Sequence, residues 1–119
     1  PLRAARVLLI EPEPSLALEL QETLAATGLL PVGPVMTIEG AADAIARGRA
    51  DVAIVDGDMI RSALQRVLDA LSASNIPYVI VAAEHVDSPA PVVRKPARQA
   101  ELLEALASVL PSPADEAAS

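Results

Sequence analysis

The chain has no cysteine, no tryptophan, no phenylalanine, one tyrosine and one histidine. Without cysteine, disulfides, thiolate nucleophiles and Cys-ligated metals are excluded. With 1% aromatic residues in a sequence that is 52% hydrophobic, the core must be built from Leu, Val, Ile and Ala. The rings that would sandwich a flavin are missing. Basic residues are also scarce, nine against sixteen acids, for a net charge of -7. That balance argues against duplex nucleic acid, which needs clustered Lys and Arg to neutralise phosphates. No apolar run approaches the ~18 residues of a membrane span. No signal peptide is visible, so the cytoplasm is the expected compartment.

The 119 residues suit one domain. A chain of this size buries roughly two thirds of its unfolded surface. "RVLLI", from Arg6 to Ile10, has strand length and is ended by "EPEP". Pro14 suits the first position of a helix, on which Leu16, Leu20 and Leu24 share a face, with Gly28 as its stop. A second strand around Leu30 to Val35 contains prolines, which predicts an edge position. Thr37 caps a second helix reaching about Arg47, with Ile38, Ala41, Ala42 and Ile45 on its inner face. "VAIV", Val52 to Val55, is apolar on both sides, as a covered parallel sheet requires. A third helix carries Ile60, Leu64, Val67, Leu68 and Leu71, and a fourth strand runs from Ile76 to Ala83. "PVVRKP" makes a short fifth strand ending near Arg94. The last helix holds Leu102, Leu103, Leu106, Val109 and Leu110, and the residues after it form a tail expected to be disordered. Domain and tail divide as 1–110 and 111–119.

Strand and helix alternate, which predicts an α/β fold, a parallel sheet with helices on both faces. One connection breaks the pattern. Only "EHVDSPAP" lies between Ala83 and Val92, and a helical crossover needs ~10–12 residues. Eight residues span at most about 25–29 Å when extended, enough to return along a short strand without a full helix.

Ligands of open parallel sheets bind outside the carboxyl ends of the strands. Here those ends carry Glu11 and Glu13, Asp56 and Asp58, Ala82 and Ala83, and Lys95. Two acidic clusters and one lysine on one edge suit a hard cation with oxygen ligands, such as Mg2+. The lysine balances the carboxylates or an incoming phosphoryl group. The plainer readings are that Asp56 caps the third helix or closes a turn, Glu11 and Glu13 are solvated acids near a helix start, and Lys95 is an exposed charge. His85 reads as a surface residue. No Gly-rich phosphate loop follows the first strand.

The motifs "VLLIEPE", "DVAIVD" and "VVRKP", in this order, resemble the receiver domains of two-component response regulators, over about Arg6 to Leu110. The resemblance is to a divergent single-domain type. It implies a flavodoxin-like, doubly wound five-stranded sheet of order 2-1-3-4-5, with the helix between strands 4 and 5 shortened or missing. It implies that Asp56 accepts a phosphoryl group from a histidine kinase or phosphotransfer protein. Glu11 and Asp56 would bind Mg2+, with the backbone carbonyl of Asp58 completing the shell. Lys95 would contact the phosphoryl group, and Lys95–Pro96 matches a bond usually cis in the family.

This sequence departs from the family at four places. The family's second acid falls on Pro12, with Glu13 a substitute only if the loop bends differently, so the Mg2+ site is expected to be weakened. The hydroxyl residue ending strand 4 falls on Ala82, and the aromatic residue of strand 5 on Val92. A helix of the usual output face is lacking. The expected function is a phosphoryl-accepting receiver that signals by protein contact, a signalling domain rather than an enzyme, able to catalyse its own phosphoryl transfer. The alternative is a pseudo-receiver acting as a phosphorylation-independent interaction or dimerisation domain. Val92 and the outer side of the last helix are the candidate surface for a homodimer or partner.

Overall fold

A computed structural model describes residues 5–111. The expected tail lies, apart from Pro111, outside the described residues. The elements are β1 (Arg6–Ile10), α1 (Pro14–Ala26), β2 (Leu30–Val35), α2 (Ile38–Ala46), β3 (Val52–Asp56), α3 (Arg61–Ala73), β4 (Tyr78–Ala82), β5 (Val92–Arg94) and α4 (Gln99–Val109). All strands pair in parallel, in the order β2-β1-β3-β4-β5. This is the flavodoxin-like order, and the proline-bearing β2 lies on the edge.

Successive residues of a strand face opposite sides of the sheet, so each central strand feeds two cores. Val7 and Leu9, Val52 and Ile54, and Val79 and Val81 pack with Leu20 and Leu24 of α1 and Leu102 and Leu106 of α4. Leu8 and Ile10, and Ala53 and Val55, pack with Ala41 and Ile45 of α2 and Leu64, Val67 and Leu71 of α3. The continuous apolar reading of "VAIV" follows from this double coverage, and all five residues of β3 are buried.

Two helix-face assignments do not hold. Ala42 is exposed, and Ala44 instead flanks the buried pair Ala41 and Ile45. Ile60 is 77% exposed because it precedes α3 as its N-cap, with ψ 135° rather than a helical value, so the helical spacing does not reach it.

β2 is irregular. Its register to β1 shifts between Leu8 opposite Val32 and Ile10 opposite Val35. Gly33 sits in the shift with φ +94°, where a Cβ would stand 2.8 Å from the Val35 nitrogen, so the bulge requires glycine. Gly33–Pro34 and Lys95–Pro96 are both cis.

The connection from β4 to β5 contains no helix or strand. Val86 of this loop packs against the α2/α3 side of the core, where a crossover helix would otherwise lie.

Candidate functional site

Register brings the site together. Ile10 of β1 is opposite Val55 of β3, so the next residues, Glu11 and Asp56, leave the sheet side by side. Asp56 is opposite Val81 of β4, and Ala82 is opposite Arg94 of β5. The Lys95 N–H donates to the Ala82 carbonyl at 3.1 Å, which fixes the start of the lysine side chain at the same edge. From there Lys95 Nζ reaches Asp56 Oδ1 at 2.8 Å, Asp58 Oδ2 at 3.0 Å and Glu11 Oε1 at 3.8 Å. One ammonium thus faces three carboxylates. Burial alone would push the Lys95 pKa down, but its bonds to Asp56 and Asp58 outweigh this and hold it above the ordinary value.

Glu11 and Asp56 are the two buried charged residues among those described. Glu11 Oε2 accepts the Glu13 N–H at 3.2 Å. Glu11 Oε1 is buried with no hydrogen-bond partner. Burial pushes the Glu11 pKa up, and neighbouring Asp56 adds to this against the lowering effects of the Glu13 N–H and Lys95. A buried, unsatisfied carboxylate oxygen costs free energy unless a cation or proton meets it.

Asp56 is held by its Oδ1, which accepts both Lys95 Nζ and the Asp58 N–H, the latter at 3.0 Å. The second bond is an Asx-type turn. Between the two acids, Gly57 donates its N–H to the Val81 carbonyl at 2.9 Å. A Cβ on Gly57 would stand 2.5 Å from Ile80 Cγ2 and 3.0 Å from the Ala82 Cβ. Glycine is therefore the residue that lets the β3–α3 loop lie flat against β4.

Asp58 enters the site through its side chain. Its Oδ2 accepts the Ala83 N–H at 2.8 Å and its Oδ1 the Glu84 N–H at 3.1 Å, in addition to the ion pair with Lys95. Burial opposes its charge, but the hydrogen bonds from Ala83, Lys95 and Glu84 outweigh this and hold its pKa below the ordinary value. The resemblance pointed to the Asp58 backbone carbonyl and gave no role to its carboxylate. Gly57 and the Ala83 and Glu84 N–H groups were also missed, since main-chain donors leave no mark in a sequence.

Glu13 turns away from this cluster. Its carboxylate caps α1, accepting the Ser15 hydroxyl at 2.7 Å, the Leu16 N–H at 2.8 Å and the Ser15 N–H at 3.3 Å. The Ser15 hydroxyl and then the Leu16 N–H pull its pKa down. Pro14 follows it at the first helical position, so the plainer reading of Glu13 as an acid at a helix start describes its contacts. Ala82 is buried at the end of β4 and Val92 half-buried on β5. His85 is exposed and pairs with Asp87 at 2.9 Å, outside the cluster. Among the described residues, no group of three or more His, Cys, Asp or Glu side chains is arranged to hold a metal ion.

Comparison with protein-family models and with curated proteins finds no match. Solved structures do match. The BeF3-activated conformation of SdrG from Pseudomonas melonis Fr1 is 32% identical, covering 89% of this chain and 96% of that one, with a TM-score of 0.75. The chemotaxis protein CheY4 of Vibrio cholerae is 22% identical over 90% of this chain and 99% of that one, with a TM-score of 0.74. The receiver domain of the response regulator PhyR from Erythrobacter litoralis is 20% identical over 93% and 95%, also at 0.74. The last two share the fold. An identity of 32% sustained over nearly all of both chains, on the 2-1-3-4-5 sheet, makes this chain a divergent member of the response regulator receiver domains.

Proposed function

We propose that this receiver accepts a phosphoryl group on Asp56 from the phosphohistidine of a histidine kinase or phosphotransfer protein, and signals by protein contact. The observation that supports it is the placement of Asp56 at the end of β3 with its Oδ1 fixed 2.8 Å from Lys95 Nζ. Both hydrogen bonds to Asp56 fall on Oδ1, which leaves Oδ2 as the attacking oxygen. As the Asp56 O–P bond forms, the N–P bond of the donor breaks, and the imidazole nitrogen keeps the electron pair. Catalysis of this kind is mostly positioning and electrostatics. Lys95 supplies the fixed positive charge.

Receiver domains of this kind usually bind Mg2+. The buried Glu11 Oε1, which has no hydrogen-bond partner, fits a cation, so Glu11 and Asp56 would hold the ion, with the Asp58 carbonyl a further ligand. Glu13 is committed to the α1 cap and Pro12 carries no carboxylate, so the site is a weakened one. When bound, the ion neutralises charge on the transferring group. Ala82 lacks a hydroxyl to hold a phosphoryl oxygen, a hydrogen bond of the class worth ~1.5–3 kcal/mol. The population shift on phosphorylation should accordingly be small. No helix among the described residues is long and apolar enough to cross a membrane, and the cytoplasm is the proposed compartment. The proposed domain is 1–110.

The test is intact mass spectrometry after incubation with Mg2+ and a small phosphoryl donor. One added phosphoryl group, lost in Asp56→Asn, is the expected result. A folded protein that takes none across a wide Mg2+ range would instead support the second reading, a pseudo-receiver that works by dimer or partner contact. The observation favouring that reading is that Lys95 is already engaged by two carboxylates.

A further inference from the structure

Three donors converge on one side chain. The Ala83 N–H, the Glu84 N–H and Lys95 Nζ all point at the Asp58 carboxylate, at 2.8, 3.1 and 3.0 Å. Two consecutive backbone N–H groups and an ammonium make a cradle for an oxyanion, with fixed dipoles on one side and full charge on the other. The same ammonium touches Asp56 Oδ1 at 2.8 Å, so the cradle lies within one group's reach of the Asp56 carboxylate. Buried Glu11 Oε1, without a hydrogen-bond partner, faces Lys95 from a third direction at 3.8 Å.

We infer that the Asp58 carboxylate is a built-in occupant of this oxyanion site, competing with a phosphoryl group on Asp56 for the same three donors. The inference rests on the reading of Asp56 as the acceptor. Asp58 stands two residues from Asp56 and is tethered to it by its own N–H, so its carboxylate competes as an intramolecular ligand at high effective concentration. Gly57 holds the tether down by lying where a Cβ would strike Ile80. The helix-free β4–β5 connection begins with the two donor residues, and their N–H groups are satisfied by Asp58 rather than by a following helix. Asp58 also has a way out. Its side chain is 24% exposed, and it lines an open cavity of about 410 Å³ together with Arg61, Gln65 and Glu84. An oxyanion on Asp56 therefore enters the cradle by displacing Asp58 toward that cavity, where Arg61 offers a new cationic partner. Phosphorylation would then be read out as movement of the β3–α3 loop. The missing hydroxyl at Ala82 matters less in such a device, because the donors come from the next two residues.

The experiment has two arms on the full chain. In the first, inorganic phosphate is titrated into 15N-labelled wild type, Asp58→Ala and Asp58→Asn, and the Ala83 and Glu84 amide resonances are followed. The expected result is saturable shifts in Asp58→Ala at phosphate concentrations about tenfold or more below those wild type needs, the factor that one charge-assisted hydrogen bond carries. Asp58→Asn, which keeps the shape and loses the charge, should fall between them, and carries the test alone if Asp58→Ala does not fold. Equal response of the three proteins overturns the inference. In the second arm, phosphoryl adduct is weighed at limiting donor, and both Asp58 variants should gain adduct over wild type. Phosphate binding unmasked by Asp58→Ala, with no adduct in any variant, would remove the acceptor reading and leave an anion site closed by Asp58. Equal adduct in all three, with equal phosphate response, would leave the acceptor reading and remove the competition.

Discussion

Lys95 Nζ lies 2.8 Å from Asp56 Oδ1 although 39 residues separate them, and each is largely withdrawn from solvent. Among the described residues the lysine is the one cation within ion-pair distance of Glu11, Asp56 and Asp58, so its loss and the loss of any single acid are unequal events. Lys95→Met leaves buried carboxylates uncompensated, and should destabilise by about 3 kcal/mol, the low end for breaking a buried pair. Asp56→Asn keeps the lysine paired with Asp58 and relieves repulsion with Glu11, so it should cost less. Urea denaturation of the two variants checks the order. A larger loss in Asp56→Asn would mean that Lys95 is not the element holding the site together.

Glu11 gives a pH signature of one sign. Its pKa is raised above 4.5 on folding, first by burial. Linkage then makes its contribution fully present below the unfolded value and lost as pH rises through the folded value. Glu11→Gln should remove that loss, so the variant's stability, relative to wild type, should rise between pH 4.5 and neutrality. Thermal melts across this range at fixed salt test it. A parallel pair of curves would show that Glu11 is not strained by its burial.

Glu13 should behave in the opposite sense. The Ser15 hydroxyl and the Leu16 N–H pull its pKa below 4.5, so its contribution is present above that value and is lost as pH falls through the folded pKa. Glu13→Ala should lower the Tm at neutral pH, with the difference shrinking in acid, because a helix loses its N-cap. Phosphoryl uptake at saturating Mg2+ should be unchanged. A higher Mg2+ concentration required for half-maximal uptake in Glu13→Ala would return Glu13 to the metal site.

Gly57→Ala should destabilise by about 1–3 kcal/mol, the usual cost of overpacking, since its Cβ would fall 2.5 Å from Ile80 Cγ2. The clash is with a specific side chain, so a double-mutant cycle with Ile80→Ala should recover about 1 kcal/mol or more of coupling. Additive costs in that cycle would mean that the loop yields elsewhere.

Much of the fold was legible because period and length report it directly. "VAIV" is apolar on both sides because two helical layers cover it. "EHVDSPAP" is too short for a helical crossover, and none is there. The helical spacing that found Leu64, Val67 and Leu71 overreached by one residue to Ile60, since spacing alone does not mark where a helix begins. In the second helix it included Ala42, which lies just past the edge of the buried face.

For the site, the sequence by itself determined which charged residues stand at the strand ends. In a parallel sheet all strands end on one edge, so Glu11, Asp56 and Lys95 had to converge once their strands were identified. Only the tertiary structure decided how those charges are shared. Glu11 and Glu13 differ by two positions in the same acidic run, yet one is buried with an oxygen that no hydrogen bond meets and the other caps α1. Asp58 binds the N–H groups of Ala83 and Glu84, 25 and 26 residues away. Strand position follows from local pattern, whereas a side chain's partner depends on the paths of loops that carry no period, and on main-chain donors that every residue but proline possesses.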